Sequence, residues 1–105
     1  MHRIALALAL ATAATGAWPA EPAPARRAEL LHLVRQDCGS CHGLTLKGGL
    51  GPPLEPAALA GKDPAFLSFV ILNGLRGTPM PPWSRFVSEP EARWIVEQLQ
   101  KGLPQ

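Results

Sequence analysis

The sequence predicts a small all-α domain of about three main helices joined by long loops, with its core built around a bound group. Three observations predict it. Apolar residues recur at helical spacing in three separate segments, and no segment alternates with a period of two. Between residues 43 and 61 the chain carries five glycines and three prolines, a composition of loop. Helices this short do not hold themselves together in water, and long loops inside a compact domain usually wrap something.

The first helix is expected over residues 27–37, RAELLHLVRQD, where Leu30, Leu31, Val34 and Cys38 recur at spacings that give one apolar face. Arg27, Glu29 and Arg35 are left for the wet face. The second begins at Asp63-Pro64, an N-cap followed by a proline at the first helical position, and runs through Phe66, Phe69, Val70 and Leu72 to a stop at Asn73-Gly74. GTPMPPWSRF, residues 77–86, is neither helix nor central strand, because its three prolines remove backbone donors. The last helix opens at Ser88, where Ser88 and Glu91 form a capping box and Pro90 sits in the first turn. Ile95, Val96 and Leu99 supply its apolar face.

Ahead of these elements, Arg3 is followed by an apolar run from Ile4 to Ala14 and by the small residues Thr15, Gly16 and Ala17. This is the three-part pattern of a cleaved secretory signal peptide, residues 1–17, with Ala20 as an alternative end. The run is too short for a bilayer-spanning helix, which needs ~20 residues, so no stable membrane anchor is expected. Residues 18–26, WPAEPAPAR, read as an extended Pro/Ala-rich linker, and residues 27–105 as the domain. Cleavage leaves about 88 residues and, with Arg3 gone, lowers the formal charge of +2 to about +1. A core of that size is marginal without a staple. No basic run or aromatic-basic stripe marks a nucleic-acid surface.

Both cysteines lie in DCGSCHG: Cys38 and Cys41, with His42 directly after. C-x-x-C-H is the attachment signature of c-type haem. Each thiol adds to one porphyrin vinyl group, the two-residue gap spans one edge of the ring, and the adjacent imidazole can coordinate iron. Other readings fit less. A thioredoxin-like pair belongs beside a βαβ pattern, which this chain lacks. Zinc needs a fourth ligand, and adjacent residues such as Cys41 and His42 seldom chelate one tetrahedral ion. A disulfide explains neither His42 nor the loops. For the sixth iron position Met80 is the expected ligand, because Met1 leaves with the signal peptide and Pro79 and Pro81 hold Met80 out of a helix. His32 is the rival. It rides the helix that carries Cys38 and reads as a surface or interface histidine.

These features, CGSCH, GPPL at 51–54, NG at 73–74 and MPPW at 80–83 before a C-terminal helix, resemble the class I cytochromes c from about Ala28 to Leu99. DCGSCHGLTLKGGLGPPL, GTPMPPW and EARWIV further resemble the small monohaem c55X-type cytochromes of denitrifying bacteria. The resemblance implies the class I cytochrome c fold around one covalent haem c, with Cys38 and Cys41 as thioether cysteines, His42 as proximal ligand and Met80 as distal ligand. It implies that the Pro52 carbonyl accepts a hydrogen bond from the ligating imidazole, that Leu54 packs on the haem, and that Trp83 stands near its edge. Two positions depart from the pattern. Leu30 stands where the family usually has a small residue at the crossing of the terminal helices, and Gln98 stands where the last helix usually has an aromatic. The two are expected to be neighbours, one compensating the other in volume.

The function implied is a monomeric periplasmic carrier of single electrons, not an enzyme, that works with redox partner proteins, among them a periplasmic nitrite reductase of denitrification. The alternative is a redox helper in maturing that reductase's special haem, and a haem enzyme or gas sensor with a labile sixth ligand is a third. From Gly43 to Val87 the basic residues Lys47, Lys62, Arg76 and Arg85 face only Glu55 and Asp63, so the field around the haem is weak. Docking is therefore expected to centre on Leu50, Gly77, Pro79, Pro82 and Trp83.

Overall fold

The computed structural model describes residues 21–104 together with Ala11, so the expected signal peptide, its cleavage site and most of the linker lie outside the described residues. Among the described residues all regular structure is helical. Helix α1 spans Pro24–Leu33 and continues without a break through a π-helical turn, Val34–Cys38, into α2, Gly39–His42. Two further helices, α3 (Pro56–Leu59) and α4 (Pro64–Asn73), precede the terminal α5 (Glu89–Lys101).

The first helix starts earlier than residue 27. Pro24 takes the first helical position, where its missing N–H costs nothing, and Arg27 N–H donates to Ala23 O at 2.9 Å. Residues 24–26 are thus helical and not extended linker. Arg26 is an anchor: its Nε donates to Glu91 at 2.5 Å, tying the start of α1 to the first turn of α5. The loop after His42 also holds structure that its glycines and prolines concealed, because Pro56 starts the single turn of α3. Both expected caps form. Asp63 accepts from Ala65 N–H at 3.0 Å, and Ser88 and Glu91 bond reciprocally as a capping box.

Helix α5 is the centre of the packing and touches α1, α3 and α4. It buries Ala92, Trp94, Ile95, Val96 and Leu99. Leu30 and Val34 of the first helix, Leu46, Leu59 and Val87 complete the core. Trp94 is the buried aromatic of α5, one turn before the half-buried Gln98, so Leu30 and Trp94 share the cluster that fills the terminal helix pair. Helix α4 has no charged residue. It turns Leu67, Ser68, Ile71 and Leu72 inward and leaves Phe66 and Phe69 exposed on the opposite face.

Candidate haem site

The C-x-x-C-H segment is helical throughout. Cys38 ends the π-helical turn and packs against the core, while Cys41 and His42 close α2. The carbonyls at such a helix end need partners. The loop supplies them by folding back: Gly51 N–H donates to Cys41 O at 2.7 Å and Gly48 N–H to His42 O at 2.8 Å. Gly43 makes the turn possible with a φ of 91°. Leu46, a non-glycine residue with φ 60°, is buried and accepts from Leu54 N–H at 2.9 Å, so the loop's strain is held in place by packing and a backbone bond.

This folded-back loop fixes the imidazole. His42 Nδ1 lies 2.7 Å from Pro52 O. A carbonyl only accepts, so Nδ1 carries the proton and Nε2 keeps its lone pair for a metal. The ring rests on bare backbone. A Cβ on Gly51 would stand 2.7 Å from His42 Cε1 and 2.8 Å from Nδ1. The sequence reading named Pro52 and missed Gly51, although the glycine stands in the same GPPL; what its side chain would strike is visible only in three dimensions.

The Met80 segment is a strap bonded to itself and to α4. Leu75 N–H donates to Met80 O at 3.2 Å, Thr78 Oγ1 donates to Leu75 O at 2.6 Å, and Met80 N–H donates to Thr78 Oγ1 at 3.3 Å. Trp83 N–H reaches Ile71 O at 2.9 Å. Gly74, with φ 72°, lets the strap approach, since a Cβ there would stand 2.7 Å from Met80 O. Met80 is half-buried. Leu54 and Trp83 pack half-buried against the core beside Leu67, Ile71 and Leu72. His32, the rival ligand, is exposed on α1.

These residues fit a haem. Two thiols one turn apart adjoin an imidazole whose second nitrogen is already held, a thioether stands on a braced strap, and half-covered apolar side chains border the core. The thiols fit a redox dithiol poorly: burial, with Asp37 adding to it, pushes Cys38 up to about 11, whereas redox pairs need a lowered value.

A family model described as cytochrome C oxidase, cbb3-type, subunit III, matches residues 25–98. Cytochrome c55X of Paracoccus denitrificans is 54% identical over 96% of this chain and 96% of its own. The solved c-type cytochrome NirC is 51% identical, with a TM-score of 0.76 over 78% of this chain and 96% of that one. Dihydro-heme d1 dehydrogenase of Pseudomonas aeruginosa is 36% identical over 69% of this chain, which matches 15% of that larger protein. The helical fold is that of the class I cytochromes c, and the chain belongs to the monohaem cytochrome c55X family, with one covalently bound haem c. Among the described residues no helix is long and apolar enough to cross a membrane.

Proposed function

We propose that this protein is a periplasmic one-electron carrier whose haem is joined to Cys38 and Cys41 and held between His42 and Met80. The observation that carries the reading is the 2.7 Å contact of His42 Nδ1 with Pro52 O, which presets the imidazole tautomer and its orientation. When bound, the haem iron supplies reversible exchange of one electron, and a methionine ligand raises its potential. The chain's own work is to keep the donors still. Pro52 holds the imidazole, Gly51 leaves it room, the Leu75–Met80 bonds brace the thioether, and Leu54 and Trp83 keep water from the site. His42 and Met80 would both donate to the iron, an arrangement that suits electron exchange rather than substrate binding.

The partner is a periplasmic nitrite reductase of denitrification. A second reading rests on the likeness to dihydro-heme d1 dehydrogenase, a protein named for acting on dihydro-haem d1. On that reading the carrier serves maturation of the reductase's special haem. Deleting the gene separates the two. An electron carrier for the reductase leaves behind enzyme that holds its full set of haems and turns over with an artificial donor. A maturation helper leaves reductase that lacks its special haem and stays inactive with any donor.

A further inference from the structure

The helix that leads into the C-x-x-C-H segment changes its winding immediately before Cys38. Gly39 N–H points to Val34 O, five residues back, which defines the π-helical turn Val34–Cys38. Both flanks are ordinary helix, with Leu33 at φ −57°, ψ −47° and Gly39 at φ −60°, ψ −27°. Such turns are rare, occur mostly as single insertions inside α-helices and are frequent at functional sites.

The winding decides which way Cys38 points. In a regular α-helix each residue advances about 100°, so Cys38 would lie about 80° around the axis from Leu30. The wider π-helical turn between Val34 and Cys38 takes back part of that advance and brings Cys38 nearer the line of Leu30. Leu30 and Val34 are fully buried, and Cys38 packs against the same core. The π-helical turn thus moves Cys38 from the edge of the apolar face toward the line of Leu30 and Val34.

Ser40 lies at the exit of that turn, inside the C-x-x-C spacer. Its Oγ donates to Gln36 O at 2.7 Å. Gln36 O is a carbonyl of the π-helical turn, and Gly39 N–H is shared between it and Val34 O. A serine bonding back to the carbonyl four residues earlier also bends helices elsewhere. Here the bond falls where the winding returns to α.

We propose that the π-helical turn 34–38, braced by the Ser40–Gln36 bond, sets the register that aims the haem-attachment segment at the core, and that Ser40 is a positioning residue for the haem. This rests on the attachment of haem through Cys38 and Cys41. The test uses holoprotein made by export with intact haem-attachment machinery. Deleting Gln36 removes one residue from the turn and lets the α-helix continue past Val34. Two measurements are made: the fraction of chain that carries covalent haem, by mass spectrometry, and the Soret circular dichroism, which reports how the haem sits among its neighbours. The deletion should lower covalent haem at least tenfold. Ser40→Ala should keep covalent haem but change the Soret dichroism, and Ser40→Thr, which restores a hydroxyl, should recover it. A purely structural serine would shift thermal unfolding and leave the Soret dichroism of the folded holoprotein unchanged. Wild-type haem occupancy and Soret dichroism in the deletion would overturn the role of the turn, and unchanged dichroism in Ser40→Ala would overturn that of Ser40. If the deleted chain does not accumulate, the Ser40 pair decides for brace and turn together, because the bond ends on a carbonyl of that turn and unchanged dichroism in Ser40→Ala then overturns both. A Cys38→Ala, Cys41→Ala chain that still carried covalent haem would break the attachment reading itself, an outcome distinct from both.

Discussion

At the scale of single residues the site depends on side chains that are absent as much as on those present. Gly51 and Gly74 each leave the gap into which a neighbouring part of the site fits, His42's ring in one case and the Met80 carbonyl in the other. Gly51→Ala should therefore push the imidazole or the loop aside, weaken the His42–Pro52 bond and destabilise the holoprotein by about 1–3 kcal/mol, the usual range for overpacking. Denaturant unfolding followed at the Soret band measures this, and a wild-type midpoint would show that the loop yields freely. Glu91 offers a second test. The hydrogen bond from Arg26 holds its carboxyl at about 2, with the Ser88 cap adding to the effect. A depressed carboxylate stabilises the fold above its unfolded pKa, and that stabilisation is lost as pH falls through the folded value. The Arg26–Glu91 contribution should thus be complete at pH 6 and fade between about 5 and 2. Because Arg26 is partly open to solvent, its size should be nearer 1 kcal/mol than the shift alone implies. The gap in unfolding free energy between wild type and Glu91→Gln, taken at pH 6 and again near pH 2.5, reads it out; a gap that does not narrow would contradict the assignment.

At the scale of elements, the terminal helix pair carries the core. Leu30 is completely buried, so Leu30→Ala should cost about 2–5 kcal/mol, and Trp94→Ala about 3–5. Their double variant should fall short of the sum, since both border one cluster; strict additivity in thermal or denaturant unfolding would show that they do not share a site. The pair also shows what was legible beforehand. Caps are written in local chemistry, so Asp63-Pro64 and Ser88 with Glu91 placed two helix starts correctly. Pro24 carries the same first-turn signal, but the surrounding prolines and alanines made it read as linker, and only the long-range bond from Arg26 to Glu91 shows what that turn is for. The family pattern puts an aromatic at position 98, where this chain has Gln98; the buried aromatic of α5 is Trp94, one turn earlier, and which turn of one helix meets another is set by the crossing and not by either sequence alone. The π-helical turn left no mark in composition: Val34, Arg35, Gln36, Asp37 and Cys38 are ordinary helix residues. The C-x-x-C-H segment was legible because haem attachment demands those residue types in one short motif, and the His42–Pro52 contact was foreseen only through the likeness to the family; Met80 as the second ligand belongs to the proposal.

At the scale of the whole molecule, the residues expected to border the haem edge are mostly exposed and uncharged. Leu50 is 76% exposed, Gly77, Pro79 and Pro82 are exposed, and Trp83 is half-buried. Lys47 and Lys62 are both exposed, but few other cations support them. Electron-transfer rates with a redox partner should fall only modestly between low and physiological salt, and Leu50→Gln should slow association more than Lys47→Gln does. Stopped-flow kinetics across ionic strength checks this, and a steep salt dependence would place the docking surface elsewhere. The central claim, a covalent haem with His42 and Met80 as its axial ligands, is tested most directly by the near-infrared spectrum of the oxidised holoprotein and of Met80→Ala. The wild type should show the weak methionine–iron(III) charge-transfer band, and Met80→Ala should lose it while keeping covalent haem. A band that survives in Met80→Ala, or a wild type that lacks it, would contradict the account.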